Sequence, residues 1–344
     1  MSPLPQRMGA IALGLSIFFI CPEIAFLAGQ EPVMRVLVED SIKFRLRADG
    51  SIPLRVRGIA SREKNVDSLN IKIKSDQLFW SEGSGEWNYL PKYTKLIIRS
   101  SDPRGIWLGK RRYRGELRVG LHDQRLIVVN HLGIERYLMS VVGSEMPKSW
   151  PKAALRAQAV AARTYALKKL RKEGIYDINS TESSQVYLGI ESETASTRKA
   201  VNSTRSLVIR HKGKLISAVF HSSSGGQTEA SGDVWKYQLP YLISVRDYDQ
   251  HSPKYSWKMI FSSIELNRIF SETGGVNNIR ILKTSDTGRI ILSKINGQKG
   301  SLFLSGKELR KRMKLKSTKA SFQFIIDQTS YKPANKIPLI LKAS

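Results

Sequence analysis

Cysteine is nearly absent: Cys21 is the only one among 344 residues. That excludes a disulfide framework and any CxxC zinc site. Histidine is also scarce, five in all, with no pair at metal-ligand spacing, so no metal and no cofactor are expected. Acidic residues are few as well. There are 29 Asp+Glu against 56 Lys+Arg, a formal net charge of +27. Such an excess points to an anionic partner, whether nucleic acid, a membrane surface or an acidic cell-wall polymer. The chain shows no internal repeat and no low-complexity linker. It also lacks a Gly-rich phosphate loop, a zinc finger and an aromatic–basic RNA motif, which leaves nucleic acid with charge alone behind it.

What is present reads as a soluble globular chain, 25% charged and 41% hydrophobic. The length suits roughly two or three domains of ~100–200 residues. Arg7 precedes an apolar run over 8–21, which Pro22 and Glu23 interrupt before a second short run over 24–28. The first run is too short to span ~30 Å of hydrocarbon but suits a secretory h-region. Cleavage near Ala25 or Ala28, an uncleaved anchor and a lipoprotein-like site at Cys21 stand as alternatives for residues 1–30. Export places the protein in the cell envelope (periplasm, wall or membrane-anchored), with membrane contact only through this segment. The positive charge then reads as attraction to an anionic envelope rather than to nucleic acid.

From 33 to 129 the pattern is period-2, as in Val36-x-Val38, Phe44-x-Leu46, Leu54-x-Val56, Ile71-x-Ile73 and Leu117-x-Val119. These are short β-strands with one solvated face. After His131 the texture changes. A short helix is expected over 133–143, then a long Ala-rich one over 152–172, with Ser149 or Trp150 as its cap, Pro151 at its first position and Gly174 beyond its end. Strands are expected around 207–209 and 215–220, followed by the Gly/Ser loop 221–226. A helix over 264–270, three strands between 279 and 304 and a helix from Gly306 follow, and the tail from Tyr331 reads as loose. The expected fold is α+β: a β-rich N-terminal portion (31–120), and a domain over 121–330 whose long helix packs on antiparallel strands. In that packing Ala153, Ala154, Ala157, Ala161 and Ala162 allow close approach.

Two features carry chemistry. On the long helix, Lys152, Arg156 and Arg163 fall within about 40° of one another, flanked by Ala159, Val160 and Leu167. A buried guanidinium there needs a carboxylate or an anionic ligand, whereas a solvated stripe needs neither. Upstream, Glu145 is a lone carboxylate among Val141, Val142, Met146 and Trp150. Desolvation would raise its pKa, as a general acid requires, and a nearby cation would lower it. A capping role is the bland alternative.

The block Ile134-Glu135-Arg136-Tyr137-Leu138, then Ser144-Glu145-Met146-Pro147, Trp150-Pro151 and Ala157-Gln158-Ala159-Val160-Ala161-Ala162-Arg163-Thr164-Tyr165 resembles the signature of the SpoIID/LytB family. Gln185-Val186-Tyr187-x-Gly189, Ala200-Val201-x-x-Thr204, Ser224-Gly225-Gly226-x-Thr228-Glu229 and Ser305-Gly306-x-Glu308-Leu309 continue it in order. The likeness covers roughly 110–325 and is densest over 130–235.

The resemblance implies a peptidoglycan lytic transglycosylase acting on peptide-stripped glycan strands in wall remodelling. Glu145 matches the catalytic acid. Arg156, Arg163 and Tyr165 become candidates for holding glycan or orienting Glu145, and Gln185, Ser223, Ser224 and Gly225 for completing the cleft. Glu229 and Asp233 are competing acids, with Glu229 also a candidate substrate contact. Some members carry two zinc-binding cysteines where this chain has Asn179 and Ser184, so the resemblance implies no zinc here. Other relatives enhance a cell-wall amidase, which makes a non-catalytic glycan-binding, amidase-modulating module the alternative, with that amidase as partner.

Overall fold

A computed structural model describes residues 31–326 and 339–343; the expected signal or anchor segment, 1–30, lies outside them. No helix among the described residues is long and apolar enough to cross a membrane. The fold is α+β. It divides into two compact units, with the boundary between Leu207 and Val208.

The first unit holds twelve consecutive strands: β1 (Val33–Ser41), β2 (Lys43–Arg47), β3 (Leu54–Arg57), β4 (Lys64–Val66), β5 (Ser68–Lys74), β6 (Gln77–Glu82), β7 (Asn88–Leu90), β8 (Leu96–Arg99), β9 (Ile106–Leu108), β10 (Arg111–Tyr113), β11 (Glu116–His122) and β12 (Arg125–Gly133). Helices α1 (Ile134–Glu145) and α2 (Lys152–Lys169), a short β13 (Ile178–Asn179) and α3 (Ala195–Ser203) complete it. The strands form two sheets, ordered β13-β1-β12-β11-β8-β3-β4 and β10-β9-β2-β5-β6-β7. All ladders are antiparallel except β1–β13.

Alternation decides which side is core. Val36, Val56, Ile98, Leu117 and Val128 of one sheet are buried, as are Leu46, Leu69, Ile71, Leu78 and Ile106 of the other. β5 meets β12 across the interior. Because β11 and β12 pair with β8 and β1 inside one sheet, no boundary falls at 120/121, where the sequence places one. The N-terminal strands and the motif-bearing helices are a single unit.

Helix α1 buries Ile134, Tyr137, Leu138, Val141 and Val142, the i, i+3, i+4, i+7, i+8 spacing of one apolar face. It contacts β1 and β12, whereas α2 lies against α1 and α3. The long helix therefore has helices α1 and α3 as its main neighbours. Pro151 is its N-cap residue rather than its first helical one, and it stops at Lys169. Its buried face is Leu155, Ala159, Ala162, Arg163 and Ala166, while Ala157 is exposed. Overpacking thus belongs at Ala162, which has no exposed surface. Ala162→Leu is expected to cost about 1–3 kcal/mol and Ala157→Leu less than about 0.5 kcal/mol, read as the difference between their denaturant midpoints.

The second unit carries β14 (Arg210–His211), β15 (Lys214–Leu215), α4 (Ser231–Val234), β16 (Met259–Phe261), α5 (Ser263–Ile269), β17 (Asn278–Thr284), β18 (Ile290–Gly297), β19 (Gly300–Ser305), α6 (Gly306–Met313), β20 (Phe322–Ile326) and β21 (Leu339–Ala343). The strands expected near 208 and 217 shrink to a two-residue hairpin, β14–β15. Part of the tail is ordered, since β21 pairs with both β16 and β20. The core gathers Leu266, Phe270, Ile295, Leu304, Leu309 and Met313. Capping boxes start both longer helices, Ser262 with Glu265 and Ser305 with Glu308.

Candidate active site

Glu145 owes its place to the residue two positions on. Pro147 disfavours helical backbone at Met146, which is extended at φ −133°, ψ 141°, so α1 ends and Glu145 is its last residue. The carboxyl is half-buried. Burial raises its pKa above the usual glutamate range, an N–H bond from Val186 opposes that, and the negative charge of Glu182 adds to it. The negative end of the α1 dipole disfavours the anion in the same sense. Among the described residues only Oε1 is engaged, accepting from the Val186 N–H at 2.9 Å. A carboxyl whose pKa is raised and which keeps one oxygen uncommitted is suited to donate a proton to a bound oxygen atom.

The segment that supplies the Val186 N–H is braced from below. Gln185, expected in the cleft, is fully buried. Its Oε1 accepts from Tyr137 Oη (3.0 Å) and its Nε2 donates to the Ala162 carbonyl (3.3 Å). Tyr187 donates to Asn130 Oδ1 at 2.7 Å and packs against Tyr113 and Tyr137. Gln185 and Tyr187 are therefore positioning residues that fix the Val186 N–H from two sides. Before them, Asn179 Oδ1 accepts from the Thr181 N–H (3.2 Å) and hydroxyl (2.8 Å), and its Nδ2 donates to Ser183. This turn is held by the hydrogen bonds of Asn179, Thr181 and Ser183. Tyr165, on α2, is half-buried, and its phenol is raised by burial. Tyr165 and Glu145 both stand near enough to Tyr137 for their charges to raise its pKa, after burial and Tyr187.

Gly143 sets the depth of α1. A Cβ there would lie 1.9 Å from the Ser192 carbonyl oxygen, and Ser140 and Ser192 hydroxyls meet across the same contact at 2.9 Å. Gly143→Ala is expected to push α1 away from the 189–193 segment, costing about 1–3 kcal/mol and displacing Glu145 two residues on. A thermal melt paired with a cleavage assay reads both.

The remaining candidates sit elsewhere. Arg163, expected at the ligand, is 1% exposed, and its Nε and Nη2 donate to the Glu135 carboxylate at 2.9 and 2.7 Å. It has no surface to offer glycan. Arg156 and Lys152 are exposed on α2, so the stripe splits into a solvated part and a buried one.

In the second unit, the Gly/Ser loop folds around Asp249. Burial would raise that carboxyl, but the Ser223 hydroxyl and the N–H groups of Gly225, Gly226 and Ser224 hold it well below the usual range. Gly225 and Gly226 turn with φ of +73° and +96°, a region open to glycine. The loop's donors are thus spent internally: Ser223, Ser224 and Gly225 bind Asp249, and the Ser224 hydroxyl donates to Asp247 at 2.7 Å. Glu229 is nearly buried, taking bonds from Ser285 and Thr287 and an ion pair from Arg289 at 3.4 Å. Asp233 is exposed on α4.

Comparison with known proteins agrees with the motif block. Residues 122–211 match the model of the family described as Stage II sporulation protein, SpoIID. An amidase enhancer of Bacillus subtilis is 41% identical over 130 residues, 38% of this chain and 17% of that protein. Stage II sporulation protein D of Bacillus amyloliquefaciens is 31% identical over 211 residues, 55% and 60% of the two chains. An uncharacterized protein of Brachyspira hyodysenteriae is 37% identical over 175 residues, 50% and 47%. The chain thus spans from 17% to 60% of the length of these relatives. By its motif block and these matches, the chain is similar to Stage II sporulation protein D and to the amidase enhancer, with the family match confined to residues 122–211.

Proposed function

We propose that this protein is an exported peptidoglycan lytic transglycosylase, with Glu145 as both general acid and general base. The observation that supports it most is the state of Glu145: half-buried, with its pKa raised and one oxygen uncommitted. Neutral Glu145 donates its proton to the glycosidic oxygen as the C1–O bond of the sugar breaks. The resulting carboxylate then accepts the proton of that sugar's C6 hydroxyl as the C1–O6 bond forms. The proton removed from the hydroxyl restores the acid, no water is consumed, and the product is an anhydro-ended strand. One carboxyl suffices, whereas hydrolysis calls for a second to activate water or attack carbon. Tyr165 and Arg156 are proposed glycan contacts.

The name of the amidase enhancer relative favours one other reading, a glycan-binding module that stimulates a cell-wall amidase. Mass spectrometry of peptide-stripped and peptide-bearing glycan strands after incubation with the protein separates the two. Anhydro-ended fragments from the stripped strands are the expected result. Hydrolysed, non-anhydro ends would replace the transglycosylase by a hydrolase and point to Glu182 as a second acid. Binding without cleavage would leave the amidase-modulating reading.

A further inference from the structure

The six-stranded sheet of the first unit turns its inner face to the core and leaves the other outside. Register and alternation place six cations on that outer face: Lys43, Arg45, Arg47, Lys72, Lys74 and Arg112. Phe79, Tyr89 and Trp107 share it. Its other positions are Asn70, Gln77 and the buried Ser68 and Ser81, so no outward position of these strands carries a carboxylate. Arg112 is matched from the edge by Asp49 and Glu191. Among the described residues, none of the other five is paired with a carboxylate.

Such a face is costly for a free protein. Alternate residues on a strand stand about 6.8 Å apart and neighbouring strands about 4.8 Å, within the ~8–10 Å over which salt screens charge. An ordinary solvated face mixes both signs; here, among the described residues, Arg112 alone of the six cations meets carboxylates. It also offers flat rings. The Lys72 ammonium lies 3.7 Å from the centre of Trp87 and 5.9 Å from that of Phe79. Phe79 meets Tyr89 edge to face at 6.3 Å. Trp87 and Tyr89 are 44% and 58% exposed, leaving ring surface for a partner at one end of a basic strip.

We infer that this outer sheet face binds an extended anionic glycan, its cations taking the carboxylates and Trp87 and Tyr89 stacking on sugar rings, as a strand-holding surface separate from Glu145. The choice of glycan rests on the function proposed above: a peptide-stripped strand keeps a free lactyl carboxylate on alternate sugars, the periodic negative charge this face lacks. Catalysis at Glu145 needs only the sugars flanking one bond, so a second surface would raise the time spent on long strands.

The test measures binding of peptide-stripped glycan strands to the whole protein carrying Glu145→Gln, so that no strand is cut during the assay. The combined Lys43→Gln, Arg45→Gln, Lys72→Gln variant is expected to bind at least tenfold more weakly, with an unchanged melting temperature. Trp87→Ala, which leaves the charge intact, should weaken binding severalfold and serves if the triple variant folds poorly. Affinity should fall as salt rises, and strands with amidated carboxylates should bind the unsubstituted face as weakly as native strands bind the triple variant. Undiminished binding by both variants, equal affinity for amidated strands, or equal competition by single-stranded DNA of similar length would overturn the inference. Cleavage plays no part in this readout. Anhydro products without sheet-face binding overturn this inference alone, and sheet-face binding without anhydro products overturns only the transglycosylase.

Discussion

Glu145→Gln is expected to lower strand cleavage by about a hundred- to ten-thousandfold without weakening the fold. Gln keeps the shape and an oxygen that can accept the Val186 N–H, but it has no proton to give. The pH dependence follows from the same environment. A general acid must be protonated, and burial together with Glu182 raises the Glu145 pKa. The alkaline limb of kcat/KM is therefore expected above the ordinary glutamate range. Glu182→Gln removes a neighbouring negative charge, lowers the Glu145 pKa and should move that limb to lower pH. Stability falls with rising pH in the same sense as activity, and only the substitution separates the two. A carboxyl whose pKa is raised by folding contributes its stability below the unfolded pKa and loses it as pH rises through the folded one. Above the unfolded pKa, folding must act against the ionisation that the unfolded chain enjoys, so Glu145→Gln should melt no lower than wild type. A variant that still cuts at the wild-type rate would remove Glu145 from the chemistry.

The strands of the first unit were legible because one face of each is buried, and burial writes itself as alternation. Leu54-x-Val56 and Leu117-x-Val119 are core positions in the structure as in the pattern. Glu145 was legible as a lone acid in an apolar stretch. What supports it was not, since a backbone N–H such as that of Val186 has no letter of its own. The resemblance offers Gln185 for the cleft, but sequence gives a residue's type and not its depth; only packing reveals that Tyr137 and Ala162 use both ends of its amide. The Gly/Ser loop misled in a similar way. Its glycines and hydroxyls suit a ligand, but the carboxylate that satisfies them is Asp249, more than twenty residues on. Helix α3 went unseen as well: its short run Ala195–Ser203 is mostly small and polar, and its helical state comes from a Thr194–Thr197 capping box and from packing against α1 and α2.

Arg163 yields the sharpest separation of a structural role from a ligand role. Its guanidinium is held by Glu135 on α1, by the Val201 carbonyl of α3 at 3.2 Å and by the Leu207 carbonyl at 3.1 Å. One buried side chain on α2 thus ties three helices and the end of the unit together. Arg163→Met keeps the bulk and strands the Glu135 carboxylate, itself only 4% exposed. Leaving one member of a buried pair alone is expected to cost about 3–5 kcal/mol, or roughly a 10 °C fall in melting temperature for a unit of this size. Arg163→Lys should recover little, because a single ammonium cannot reproduce the two-pronged bond to the carboxylate or reach both carbonyls. Adding Glu135→Leu to Arg163→Met removes the stranded charge and should restore most of the loss. Were Arg163 a glycan contact instead, Arg163→Met would melt with wild type and lose cleavage, and Glu135→Leu would rescue nothing. The melting temperatures of these variants, set beside their cleavage rates, therefore decide whether the cation is there for the substrate or for the three helices that position Glu145.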